Sequence, residues 1–230
     1  AVPIIGVVKG NGYGFGLTEL ALILEHCGIT TLAVTEVTDI APLRAVLQPN
    51  TDILVMRSTC VDSEARHIAD TGCIATIGST RAAQVMQAAA ADLGVKVPCH
   101  LKIDTGMARL GVREDAALTG LLSVFREAPE LFFEGVFTHF ATADEGDNEY
   151  FQMQVARFEH ALSIIRAMGF SPVIHAGNSA VTLHWPQYHY DMVRPGYALY
   201  GYDPGPGDVG FLQPAMRWTT QIVNLKWIGP

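Results

Sequence analysis

The chain has 230 residues, 49% of them hydrophobic, with 15 Lys and Arg against 23 Asp and Glu and a net charge of -8. That length suits one large domain or two small ones with a sizeable core. The acidic balance argues against nucleic acid as a partner, since phosphate backbones need a basic face, but it leaves room for a small anion held in one local pocket.

Short β-branched runs alternate with longer amphipathic patterns along the chain. The reading in order is strand Ile4–Lys9, helix Leu17–Cys27, strand Thr31–Thr35, helix Val37–Leu47, strand Asp52–Met56, helix Ser63–Asp70, strand Cys73–Ile77 and helix Thr80–Leu93. It continues with strand Cys99–Asp104, helix Glu114–Ala128, strand Phe132–His139, helix Tyr150–Met168, strand Val173–Ala176, short helix Ser179–His184 and strand Met192–Tyr200. Eight strands with helical crossovers predict an α/β protein with a (β/α)8 TIM-type barrel over residues 1–212, although a doubly wound sheet shares the alternation. Asp203–Asp208 is rich in Gly and Pro and reads as a linker. Arg217–Trp227 then alternates like an antiparallel strand, so residues 213–230 are expected to begin a second, β-rich domain that is cut short. No run is apolar over a membrane-spanning length and no signal peptide occurs, so no membrane partner and a cytoplasmic location are expected. Cys27, Cys60, Cys73 and Cys99 form no CxxC pair, and each lies in or beside an apolar segment. They are expected to be buried free thiols, and no metal site is expected.

Active sites of such barrels form at the C-terminal ends of the strands. The first predicted strand ends in Lys9. The fifth carries Lys102 and Asp104 and leads to Arg109. The sixth ends in Thr138 and His139, the seventh carries His175 and leads to Asn178 and Ser179, and the eighth carries Arg194 ahead of Gly196. A lone lysine at a strand end is usually a surface charge, and a lone histidine is usually a hydrogen-bonded core residue. Convergence of five strand ends argues for a site. Gly10, Gly12, Gly14 and Gly16 allow close backbone approach to a ligand. Ser179 opens a short helix, where free N–H groups and the helix dipole favour an anion. A barrel mouth with an amine, two arginines and a phosphate cradle fits a phosphorylated aldehyde cofactor held by lysine, and it fits a phosphosugar enzyme nearly as well.

Five segments, in order, resemble the alanine racemases, the fold-type III pyridoxal-phosphate enzymes. Val8-Lys9-Gly10-Asn11-Gly12-Tyr13-Gly14 resembles the family's V-K-A-N-A-Y-G. Leu101–Gly111 is similar to L-K-x-D-T-G-M-x-R-L-G, and Thr138–Asp144 to T-H-F-A-x-A-D. His175–Ala180 resembles H-x-A-N-S-A, and Met192–Gly201 resembles M-V-R-P-G-I-A-L-Y-G. The resemblance implies that Lys9 holds pyridoxal 5'-phosphate as a Schiff base and acts as base on one face of the substrate α-carbon. It implies that Tyr13, Ser179 and the amides of Gly196 and Tyr197 bind the phosphate, with Asn178 beside them. Arg194 then faces the pyridine nitrogen with His175 behind it. A carbamylated Lys102 orients Arg109 toward the cofactor's phenolic oxygen and the substrate carboxylate, and His139 lies beside the ring. The substrate implied is a small amino acid, alanine or else serine or a broader set, and the full-length protein is implied to be a homodimer. The family's second base is a tyrosine of the C-terminal β-rich domain, supplied across that dimer. Gly10 and Gly12 replace the motif's alanines, and Phe15 replaces its usual second histidine.

Two other readings share the cofactor. A fold-type III decarboxylase would carry an H-x-G-S motif and a Gly-Gly-Gly phosphate loop, and neither is present. A single-domain pyridoxal-phosphate-binding protein without turnover, concerned with cofactor handling, suits the chain length.

Overall fold

Runs of apolar β-branched residues set eight short parallel strands in the computed structural model, which describes residues 2–229. They are β1 (Ile5–Val7), β2 (Thr31–Val34), β3 (Asp52–Val55), β4 (Ile74–Ile77), β5 (Val97–Lys102), β6 (Leu131–Phe137), β7 (Val173–Gly177) and β8 (Met192–Val193). Each pairs in parallel with the next in chain order. A bridge between Ile4 and Val193 closes the ring, supported by Val193 N–H donating to Pro3 O at 3.1 Å and Val7 N–H to Pro195 O at 3.3 Å. The predicted (β/α)8 barrel is therefore the observed fold. The termini of the expected domains, residues 1 and 230, lie outside the described residues.

The crossovers are α1 (Leu17–His26), α2 (Ile40–Arg44), α3 (Asp62–Asp70), α4 (Thr80–Leu93), α5 (Asp115–Glu127), α6 (Glu149–Ala167) and α7 (Ser179–His184). Local chemistry explains their limits. Ser79 caps α4 by accepting from Ala82 N–H, and Gly94 ends it at a left-handed φ of 65°. Asn148 caps α6 through Phe151 N–H in the same way. The expected helix Val37–Leu47 is shorter, a 3₁₀ turn Val37–Asp39 running into α2. No helix among the described residues is long and apolar enough to cross a membrane.

The core has two parts. Ile5, Val7, Ala33, Leu54 and Ile74 pack together inside the barrel along β1–β4. The opposite strand faces carry Leu32, Val34, Ile53, Leu101 and Val136 against helix residues such as Leu24, Met86, Leu122 and Phe158. Burying these side chains contributes on the order of 1.5–3 kcal/mol each.

Four sequence expectations change. The eighth strand stops at Val193, and Tyr197–Tyr200 is a 3₁₀ turn, because Arg194 turns inward and Pro195 interrupts the ladder. Lys9 follows β1 instead of ending it and opens the one-turn segment Lys9–Tyr13. There Gly10, Asn11, Gly12 and Tyr13 take left-handed φ of 62°, 54°, 60° and 54°. Arg217–Trp227 has no regular secondary structure. A strand needs a partner for its backbone groups, and here Trp218 and Trp227 are 89% and 101% exposed. Finally, Cys73 and Cys99 are buried as expected, whereas Cys27, just beyond α1, and Cys60, in the loop before α3, are exposed.

The loop after β5 folds back on its own strand. Val112 N–H donates to Lys102 O and Asp104 N–H donates to Val112 O, both at 2.9 Å. Gly111, at φ 120°, makes this approach, and a Cβ there would lie 2.8 Å from both Lys102 O and Asp104 N. Gly111→Ala is expected to lower stability by about 2 kcal/mol or more, from strain and backbone collision together. Urea unfolding measures it, and an unchanged midpoint would show that the loop does not lie against β5 in this way.

Candidate active site at the barrel mouth

The strand ends open on one cavity of about 490 Å³. Lys9, Tyr13, Lys102, Arg109, His139, Asn178, Ser179, Arg194, Gly196 and Tyr197 all line it. Of the predicted site residues, His175 alone stands outside the lining, fully buried beneath Arg194.

Arg194 enters from the end of β8 and is buried. Its Nη1 donates to His175 O and contacts His175 Nδ1, both at 2.8 Å, and its Nη2 donates to Thr138 O at 2.6 Å. The Phe137 ring centroid lies 5.1 Å from the guanidinium carbon and 4.5 Å from Lys102 Nζ. Burial pulls the Arg194 pKa down to about 9.

The other titratable groups follow from this crowding. Lys102 is buried, and its pKa falls well below the usual lysine value, first by desolvation and then by the charges of Arg194 and Arg109, with Asp104 opposing. His139 is likewise lowered, by burial first and then by Lys102, Arg194, Arg109 and Lys9, so it stays neutral. Lys9 is half-buried, and its amine pKa is lowered by burial and then by Arg109.

A second group gathers where β7 and β8 end. Ser179 Oγ accepts from Gly196 N–H at 2.9 Å and from Ala198 N–H at 3.2 Å. Two backbone donors thus converge on one oxygen, the disposition an anion requires. Tyr13 approaches Gly196 so closely that any Cβ there would collide with its hydroxyl. Burial and the neighbouring Tyr197 raise the Tyr13 pKa to about 12, so it remains a donor. Asn178, not Ser179, is the N-cap of α7. It accepts from Val181 N–H at 3.0 Å and donates to Phe140 O at 3.1 Å. Arg109 lines the cavity but is exposed.

Sequence reading missed three contributors, Gln154, Glu36 and Arg57, and gave Thr138 no role. Thr138 supplies the carbonyl that holds Arg194 and bonds Thr105 Oγ1 at 2.8 Å. Gln154 of α6, fully buried, donates to Thr105 Oγ1 and to His139 O. Glu36 and Arg57, beyond β2 and β3, line the cavity, and Arg57 Nη2 also bonds Glu64 Oε1 at 2.8 Å. Only Glu36 and Arg57 had a sequence signal, as charges directly after apolar strands.

Fold and site together define a (β/α)8-barrel protein with a partly desolvated lysine amine, a buried arginine and backbone N–H groups converging on Ser179 Oγ at its mouth. The family model for the alanine racemase N-terminal domain matches residues 1–204, and the chain belongs to that family. It is 35% identical to the alanine racemase of Desulfosudis oleivorans and 36% identical to that of Symbiobacterium thermophilum, covering 98% and 99% of this chain. Among solved structures it resembles an alanine racemase of Clostridium difficile in complex with cycloserine, at 32% identity and a TM-score of 0.84 over 93% of this chain and 59% of that one. It also resembles the Bacillus anthracis enzyme with bound L-Ala-P, at 34% identity and a TM-score of 0.84 over 93% of this chain and 56% of that one. The chain spans 60% of the length of both curated relatives. These likenesses favour the racemases over a stand-alone cofactor-handling protein.

Because Arg109 is a secondary cause of the lowered Lys9 pKa, Arg109→Met is expected to raise that pKa only partway. The neutral fraction of the amine at a fixed pH near 8 then falls, and reaction with an amine-acylating reagent slows by a factor of about 2–5. Mapping reagent uptake at Lys9 against pH checks the sign; a faster reaction in the variant would contradict it.

Proposed function

We propose that this chain is the cofactor-holding barrel of an amino-acid racemase that interconverts L- and D-alanine, with serine or a broader set of small amino acids as further substrates. The observation that carries the reading is the pairing, in one cavity, of the partly desolvated Lys9 amine with Ser179 and Gly196, whose N–H donates to Ser179 Oγ at 2.9 Å. That donor set fits pyridoxal 5'-phosphate: an amine for the aldehyde, converging N–H groups for the phosphate and a guanidinium for the ring nitrogen. When bound, the cofactor supplies an electron sink for the charge left at the substrate α-carbon when its proton is removed.

The chain's own residues divide the remaining work. Lys9 makes the covalent link and then moves the proton on one face of the α-carbon. Tyr13, Ser179 and the amides of Gly196, Tyr197 and Ala198 hold the phosphate. Arg194 faces the ring nitrogen, and a guanidinium, which is donor-only, cannot protonate it readily. His139, kept neutral by its cationic neighbours, packs beside the ring. Lys102, neutral because it is buried among cations, takes up carbon dioxide, releasing a proton. The resulting carbamate places an anion among Arg109, Arg194 and Lys9, and it turns Arg109 toward the substrate carboxylate. Racemisation needs a second base on the opposite face, and the family resemblance assigns it to a tyrosine of a β-rich domain delivered across a dimer. Residues 213–230, apolar and exposed at Ile222, Val223 and Leu225, are assigned to the start of that domain. A cytoplasmic location belongs to the same reading.

Two measurements test it. After addition of pyridoxal 5'-phosphate, borohydride should fix the cofactor's mass on the peptide carrying Lys9, and labelling of another lysine would overturn the assignment. Intact-mass and density analysis in bicarbonate buffer should show a carbon dioxide adduct on Lys102 that is lost in Lys102→Ala, and a bare amine there would refute the carbamate.

A further inference from the structure

Inside the barrel, β1–β4 present the apolar Ile5, Val7, Ala33, Leu54 and Ile74 with Thr76 beside them, whereas β5–β7 present a line of polar groups ending at Arg194. His175 Nδ1 lies 2.8 Å from Arg194 Nη1, His175 Nε2 lies 2.8 Å from His100 Nδ1, and His100 Nε2 lies 3.3 Å from Glu134 Oε2. Both imidazoles are buried, and Glu134 is partly exposed toward the N-terminal end of the barrel.

This line admits one arrangement of protons. A guanidinium only donates, so His175 Nδ1 accepts and its proton sits on Nε2. That N–H donates to His100 Nδ1, which must therefore be bare, and the His100 proton also sits on Nε2. It donates to Glu134, whose carboxylate only accepts. Protonating either ring, or switching either tautomer, sets two donors face to face.

Three backbone features build the line. Cys99 pairs with Phe133 and His100 with Gly135, so Glu134 is the extra residue of a bulge. The bulge reverses the strand's alternation: Leu131 and Phe133 face the helices, and so does Val136. Glu134 and Gly135 are thereby both turned to the interior. Gly135 then makes room for the imidazole, because a Cβ there would fall 2.6–2.8 Å from three His100 ring atoms. A second bulge lies between His175, paired with Met192, and Gly177, paired with Val193, and Arg194 N–H donates to Gly177 O at 2.6 Å. Phe137 stacks flat on His175, with centroids 4.9 Å apart and planes 8° from parallel.

We propose that His100 and Glu134 are positioning residues that lock His175 in one tautomer, so that Arg194 is presented charged and in a fixed orientation to the ring nitrogen of the bound cofactor. The cofactor-facing half of this inference rests on the proposed function; the hydrogen-bond line itself does not. Asp52 of β3 acts electrostatically on both Glu134 and His100 at the N-terminal end, and Arg194 acts on the buried His175 at the other. Charge is thus negative where the line ends and positive where it begins, matching the direction of its protons. Two histidines that merely filled space would tolerate either tautomer.

The test starts with nitrogen-15 histidine spectra of the cofactor-free protein, with His100 assigned by its absence in His100→Asn. Both His100 and His175 should carry their ring proton on Nε2, with Nδ1 bare. A charged ring, or a proton on either Nδ1, overturns the line. Glu134→Lys replaces an acceptor by a donor, so the His100 signals should move, and signals that stay in place remove Glu134 from it. Absorbance titration with pyridoxal 5'-phosphate then tests the positioning. In His100→Asn a side-chain oxygen stands where Nδ1 stood, and affinity should stay near wild type. His100→Leu leaves the His175 N–H without an acceptor and should bind about tenfold more weakly, and equal affinity in the two variants overturns the proposal. Should the wild-type protein take up no cofactor, the proposed function fails, and the spectra decide the line alone: His175 signals that move in His100→Leu but not in His100→Asn support it, and signals that move in neither overturn it.

Discussion

A charged guanidinium buried in the middle of the barrel is the constraint around which this structure is arranged. Removing such a group from water costs several kcal/mol unless its donors are met. Arg194 meets that requirement with two carbonyls, Thr138 O and His175 O, one imidazole nitrogen and the face of Phe137. These groups come from β6, the residue directly after it, and β7, so the bulged pairs β5–β6 and β7–β8 are part of the arginine's solvation. The apolar face of β1–β4 keeps water out from the other side.

The same arginine sets the electrostatics of the mouth. Burial lowers the proton affinity of Lys102 and His139 first, and the charge of Arg194 adds to it in both. Arg109 acts on Lys9 in the same sense. A cavity of this kind favours neutral amines and imidazoles and attracts negative charge. Both tendencies suit a phosphorylated aldehyde that must be attacked by an amine at neutral pH. Ser179 and Gly196 line the same cavity and are joined to the lysine by Tyr13, which reaches from the left-handed turn after Lys9 to Gly196.

Much of this was legible in the sequence. The polar residues that end apolar runs, Lys9, Lys102, His175 and Arg194, stood out because a strand core rarely carries them, and the barrel placed all four around or just beneath one mouth. Helices with clear caps, such as Thr80–Leu93, were readable to the residue. The parts that were not legible depend on the pairing of distant strands. Glu134 reads as a solvent-facing residue of an alternating strand until β5 imposes a bulge on it, and His100 gains a partner only through that shift. The stretch Tyr197–Tyr200 carries strand-like residues, but its backbone turns to form the cradle. Arg217–Trp227 has the alternation of a strand and nothing in the structure to pair with. Gly10–Tyr13 signals flexibility by composition, whereas the structure uses it as an ordered left-handed turn.

Central to the proposed function is a mouth built for an anion as well as for an aldehyde. Comparing the affinities of pyridoxal and pyridoxal 5'-phosphate by absorbance, with and without inorganic phosphate as competitor, tests that claim directly. The phosphorylated compound should bind at least about tenfold more tightly through charge-assisted contacts, and inorganic phosphate should erase most of the difference. Equal affinities, unaffected by phosphate, would contradict it.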